Sequence, residues 1–181
     1  MQRTLTISID EIDQWKYYLS KCSSYDIFYD PNYYLINSLN RNYKPEVFVL
    51  ETEDNCVFFP YMKINISDLP FYKSKTHNEM QYWDIVSLEY GGPIAKNMTE
   101  SIIATFEDEF SKYCIENNII SGFIRLHPFY ENYKFFKNAK DIKEIHYVDL
   151  SKSKQLLRRE YNKSNRNCIN KAEREGVKII K

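Results

Sequence analysis

A chain of 181 residues, 43% hydrophobic and 28% charged, falls in the ordinary globular range and is long enough to bury one sizeable core. Its longest apolar runs, Val47 to Leu50 and Cys56 to Tyr61, are far short of the roughly 20 residues needed to span a bilayer, which excludes an integral helical membrane protein. The zero net charge hides two unlike parts: residues 151–181 carry ten basic against three acidic residues, and the first 150 carry 15 basic against 22 acidic.

That asymmetry predicts a boundary near Leu150, with one domain before it and an appendage after. The N-terminus has neither a charged region followed by a continuous apolar core nor a small-residue cleavage site, so export is not expected. Cys22, Cys56, Cys114 and Cys168 form no Cys-x-x-Cys pair, and no His stands at ligand spacing from them. The expectation is free thiols in a reducing cytoplasm, with no metal site.

In chain order, Thr4 to Ile9 reads as a first strand, and Asp10 to Lys21 as a helix with Ile12, Trp15, Leu19 and Cys22 inward. Asp30-Pro31 opens a second helix, a capping acid followed by a proline that suits the first helical position, with Tyr34, Leu35, Ser38 and Leu39 inward. Glu46 to Thr52 and Cys56 to Asn65 are β-forming runs joined by the polar turn Glu53-Asp54-Asn55, which predicts an antiparallel hairpin. Residues 66–80 read as an exposed loop and Gln81 to Leu88 as a strand leading into Tyr90-Gly91-Gly92-Pro93. Asn97-Met98-Thr99-Glu100 has the form of a capping box, ahead of an apolar stripe of Ile103, Phe106, Phe110, Tyr113 and Cys114. Ile119 to Leu126 is a continuous apolar strand, residues 130–138 a short aromatic helix or turn, and Glu144 to Leu150 a strand that closes the sheet. From Ser151 or Ser153 a long basic helix is expected to run to Glu175, with Gly176 as its stop and Val177-Lys178-Ile179-Ile180 opening another strand.

This order is that of an α/β (α+β) domain with a mixed central sheet flanked by helices, as in the acyl-CoA N-acyltransferase fold, plus a C-terminal basic helix. Four segments carry a family likeness: Tyr90-Gly91-Gly92-Pro93 after a strand containing Asp84; Arg125-Leu126-His127-Pro128; Asp149-Leu150; and Ser164 to Ala172 continuing through Gly176-Val177. In sequence and spacing they resemble the FemAB-like peptidoglycan-bridge aminoacyltransferases. The resemblance implies a protein of two such domains, of which residues 1–150 are the first and 151–181 the lead into a second. It implies an N-acyl or aminoacyl transfer to an amine of a nucleotide-sugar or lipid-linked precursor of peptidoglycan or surface glycan. Aminoacyl-tRNA or acyl-CoA would be the donor of the longer enzyme, with no cofactor held by this domain alone. Such an enzyme is expected in the cytoplasm, up to the inner membrane surface. The rival reading is a non-catalytic binding module that retains the fold.

Acyltransferases of this fold hold donor pyrophosphate on a glycine-rich turn between a strand and a helix. Here the corresponding turn is Tyr90-Gly91-Gly92-Pro93; Pro93 removes one amide donor and the glycine spacing differs, so coenzyme A binding at this turn is expected to be lost. Gly91 and Gly92 either contact a ligand or only permit a tight turn. Arg125 and His127 lie at period two, so both side chains should project to the same side of the sheet. Arg125 either holds a phosphate or carboxylate or pairs with a carboxylate such as Asp84, and His127 either meets substrate or caps a turn. On the basic helix, Arg159, Lys163, Arg166 and Lys171 fall on one stripe that faces either solvent or an anion, including tRNA backbone. The candidate substrate-binding residues are thus Tyr90, Gly91, Gly92, Arg125, His127, Lys163 and Arg166; no catalytic residue is assigned.

Overall fold

The β-forming runs on either side of Glu53-Asp54-Asn55 build the centre of the fold. In the computed structural model, which describes residues 2–23, 25–39, 41–69, 81–137, 139 and 145–180, strand β2 (Tyr43–Glu51) pairs antiparallel with β3 (Cys56–Asn65). Thr52 N–H donates to Asn55 O at 2.8 Å and closes the turn. The chain divides into two compact units, Met1–Lys140 and Asp141–Lys181.

In the first unit, β1 (Arg3–Ser8), β2, β3, β4 (Trp83–Val86) and β6 (Ile119–Phe123) lie side by side in that order, with the short β5 (Ile94–Ala95) also on β3. The sheet is mixed: β4 and β6 are parallel, joined through the long helix α3 (Glu100–Glu116), and the other pairs are antiparallel. Alternate residues of β2 and β3 point to opposite faces. Val47, Val49, Phe58 and Met62 pack with Trp15, Leu19 and Tyr34 of helices α1 (Ile12–Ser20) and α2 (Pro31–Ser38). Phe48, Leu50, Val57 and Phe59 pack with Ile102 and Phe106 of α3. Covered on both faces, β3 is buried from Cys56 to Ile64 and has no polar alternation to show.

Several local expectations are corrected. On α2, Tyr34 is buried, but Leu35 and Leu39 are 37% and 71% exposed, because a helix of two turns presents only a narrow inner face. The cap of α3 is Thr99, whose hydroxyl accepts from Ile102 N–H, rather than Asn97. Asn97 is instead tied to the hairpin turn, its carbonyl accepting from Asn55 Nδ2 at 2.6 Å. β6 ends at Phe123 and is mostly exposed, forming one margin of the sheet. Of the loop expected over 66–80, Ile66–Asp68 form a 3-10 turn, and residues 70–80 lie outside the described ones.

The second unit holds α4 (Lys154–Glu160) and α5 (Lys163–Arg174). The single long basic helix is broken because Asn162 caps α5, its Oδ1 accepting from Asn165 N–H at 2.8 Å, and Tyr161 turns extended. Gly176, at φ +73, follows the end of α5 as expected. Residues 145–150 form no strand: Asp149 accepts from the amide and hydroxyl of Ser151, which commits the chain to a turn. Val177 to Ile180 are likewise irregular and exposed. No helix among the described residues is long and apolar enough to cross a membrane.

Candidate functional site

An arch in the sheet positions the candidate residues. Between the pairs Met62–Val86 and Phe58–Ile94, three residues of β3 (59–61) face seven of the neighbouring strand (87–93). Pro60 has no N–H to give that ladder, and its carbonyl accepts from the Tyr34 hydroxyl at 3.3 Å. The seven residues therefore leave β3 and are stitched to the end of β6 and the chain that follows it instead. Ser87 N–H donates to Phe123 O (3.1 Å), Gly91 N–H to Arg125 O (2.9 Å), and His127 N–H to Gly91 O (3.0 Å). Ser87 Oγ accepts from Arg125 N–H at 2.8 Å and fills the gap between the first two bonds.

Both glycines are consumed by this seam. The Gly91 carbonyl also accepts from Asn132 Nδ2 at 2.7 Å. Gly92 sits at φ +101, where an added Cβ would stand 2.6 Å from Asn132 Nδ2 and 2.9 Å from Leu126 Cδ2. The turn leads into β5 rather than into a helix, so it lies neither at the start of α3 nor with the Gly91 amide free for an anion.

Arg125 and His127 both reach the ring of Tyr90, at 6.0 Å each, and otherwise differ. Arg125 is exposed and pairs with Glu89 at 2.8 Å. The carboxylate considered for it, Asp84, is taken by Ser121 Oγ at 2.7 Å. The His127 side chain is 4% exposed, stacked on Tyr130 at 4.0 Å between ring centres. Its Nδ1 accepts from Phe129 N–H (3.2 Å), which places the proton of the neutral ring on Nε2, facing Asp26 Oδ2 at 2.5 Å.

Asp26 connects this buried group to the surface. Its other oxygen accepts from Phe28 N–H at 2.9 Å, capping a 3-10 turn at Ile27–Tyr29. Asp26 also lines a cavity of about 460 Å³ together with Tyr25, Ile27, Asp30, Tyr33 and Ile36. Phe28 packs edge-on against both Tyr33 and Tyr90, 5.5 Å from each, and so joins the cavity wall to the arch. The Tyr33 phenol is pushed up from its ordinary pKa by burial first and then by the charges of Glu89 and Asp26. Among the described residues the cavity's side chains offer carboxylates, amides and phenols and no cation, a surface suited to an ammonium on an apolar stem. A second cavity, of about 510 Å³ between α3 and β6, is lined mainly by apolar groups such as Phe59, Ile85, Phe110 and Ile124.

The structure thus brings Tyr90, Gly91, Gly92, Arg125 and His127 together. Lys163 and Arg166 belong to the second unit. Lys163 opens α5, and Arg166 donates to the carbonyls of Arg159 and Tyr161, both at 2.8 Å, so it caps the end of α4 rather than standing free on a helix face. Asp26 and the cavity residues escaped the sequence reading. The only available signal was Asp26 as a turn-capping acid; its partner is 101 positions away. Among the described residues no group of His, Cys, Asp and Glu side chains is arranged to hold a metal ion. No protein-family model, curated protein or solved structure matches the chain.

Proposed function

We propose that this chain is an N-acyl- or aminoacyltransferase-like domain that binds the acceptor, an amine-bearing precursor of peptidoglycan or surface glycan. The donor, aminoacyl-tRNA or acyl-CoA, is then handled by a second acyltransferase-like domain. One observation carries the reading: Asp26, held by His127, faces a cavity that Asp30 and the Tyr25 and Tyr33 side chains also line. Two carboxylates with no cation among the described lining residues attract an ammonium, and the aromatic and aliphatic walls suit its carbon stem. The Gly91 amide, bonded to Arg125 O, supports assignment to the acceptor half, because it has no donor left for a pyrophosphate.

The test is titration calorimetry of the chain with a precursor peptide that carries a free side-chain amine, against the same peptide N-acetylated. The free amine is expected to bind at least about tenfold more tightly, a difference that Asp26→Asn abolishes. Equal affinity for the two peptides removes the proposal. A second reading, binding without turnover, is favoured by the engagement of both Asp26 oxygens and both His127 ring nitrogens in hydrogen bonds within the fold. Amine binding together with acyl transfer by the longer protein would exclude it.

A further inference from the structure

The α3 face of the sheet carries a group of charges that the acceptor cavity does not use. Lys44 on β2 and Lys63 on β3 are directly opposite each other in the antiparallel register. Like charges in that relation repel. Their ammonium groups nevertheless converge on one ring, with Lys44 Nζ 4.9 Å and Lys63 Nζ 5.1 Å from the centre of Trp83.

Among the described residues only Glu46 approaches this pair. Lys63 is only 9% exposed. The nearest carboxylate oxygen among the described residues, on Glu46, is 3.8 Å away and outside hydrogen-bond reach. The other Glu46 oxygen is engaged by the hydroxyls of Tyr61 and Tyr113. Among the described residues Lys44 has no ion pair, and neither ammonium has a hydrogen-bond acceptor. Lys44 is exposed, so solvent meets its donors; the Lys63 ammonium brings three N–H donors into a buried setting, and leaving them unmet there destabilises the protein. A ring face supplies attraction but accepts no conventional hydrogen bond.

We propose that Lys44 and Lys63, with Trp83 as the wall, bind a phosphate group of one net negative charge, either a phosphodiester or a singly ionised monoester. Among the described residues, two ammoniums and the Glu46 carboxylate leave a single positive charge to be matched, and a dianion would meet repulsion from Glu46. The tetrahedral oxygens of a phosphate can accept from donors that approach from two strands, whereas a planar carboxylate is better matched by the fork of an arginine. The site stands apart from the acceptor cavity and does not depend on the transferase reading.

Trp83 reports on the site, because the only other tryptophan, Trp15, is fully buried in the core on the opposite face. The full chain is titrated with dimethyl phosphate, methyl phosphate and inorganic phosphate at constant ionic strength, with chloride as the control, following tryptophan emission and Tm. Dimethyl phosphate is expected to give a saturable emission change and to raise Tm, and Lys44→Gln or Lys63→Gln to weaken its binding about tenfold or more. Lys63→Met is expected to raise Tm in phosphate-free buffer, because it removes the ammonium without an acceptor, and to abolish the rise with phosphate. If chloride reproduces both signals, the effect is charge screening and the site does not exist. If Lys63→Met lowers Tm without phosphate and leaves phosphate affinity unchanged, Lys63 is structural and the proposal fails. Tighter binding of methyl phosphate in its doubly ionised form than of dimethyl phosphate would overturn the single-charge assignment.

Discussion

Asp26 Oδ2 and His127 Nε2 meet at 2.5 Å, although 101 positions separate them in the chain. The bond ties the turn ahead of α2 to the segment that follows β6, and it gives Asp26 a fixed orientation at the cavity. His127→Ala removes this bond and the stacked ring together, and should cost about 2–4 kcal/mol in urea-induced unfolding. Asp26→Asn keeps an oxygen for the Phe28 amide but turns its Nδ2 donor toward the Nε2 proton, so it should cost about 1–3 kcal/mol while the ring stacking remains. No loss in Asp26→Asn would show that the stacked imidazole, and not this hydrogen bond, holds the two segments together.

The two positive-φ glycines should respond very differently to a methyl group. Gly92→Ala meets both backbone strain and two side chains inside 3 Å, so a loss of at least about 2 kcal/mol is expected. Gly176, at φ +73, has open space around its Cβ position, and alanine there should cost only about 1 kcal/mol, confined to the end of α5. Thermal melts of both variants, with amide exchange to locate the change, check the contrast.

Glu51 gives the fold an acid-sensitive clasp. The Lys21 ammonium, and after it the Arg3 guanidinium, hold its carboxyl below the ordinary range, while Glu51 in turn holds Lys21 above its own. A carboxylate with a depressed folded pKa stabilises above its unfolded pKa, and that stability is lost as pH falls through the folded value. Lys21 has the opposite sign: its contribution is complete below its unfolded pKa and fades at strongly alkaline pH. Tm of the parent chain should therefore fall below about pH 4 more steeply than that of Glu51→Gln. Parallel profiles would show that Glu51 contributes nothing to acid unfolding.

Arg166→Ala should release the last carbonyls of α4, with a local cost of about 1 kcal/mol. Faster amide exchange at Arg158 to Tyr161, with β2 and β3 unaffected, is the expected signature. Unchanged exchange there would mean that the cap is made by other groups.

The hairpin was legible because its partners are neighbours in sequence and its turn is polar; the opposition of Lys44 and Lys63 could have been counted outward from Asn55. The arch could not. Pro60 signals a break in a strand, but nothing in the sequence says that 87–93 will be stitched to 123–127. The basic helix reads as one element in the sequence because its periodicity continues through Tyr161, and only the capping bond of Asn162 reveals two. The strand expected at 144–150 has suitable residue types, but Asp149 and Ser151 close a local turn first. Among the site residues, Arg125, His127 and the glycine pair stood out by type and spacing. Asp26 did not, because its importance lies entirely in a partner from the far end of the domain.

The seam from Ser87 to His127 also bears on how the site comes into being during folding. Its bonds join segments that are unrelated until the α3 crossover has docked, so they cannot form in an isolated hairpin. The Gly91 amide proton, held by Arg125 O, should consequently exchange with solvent only when the whole sheet opens, and it serves as a clock for global unfolding placed within the candidate site.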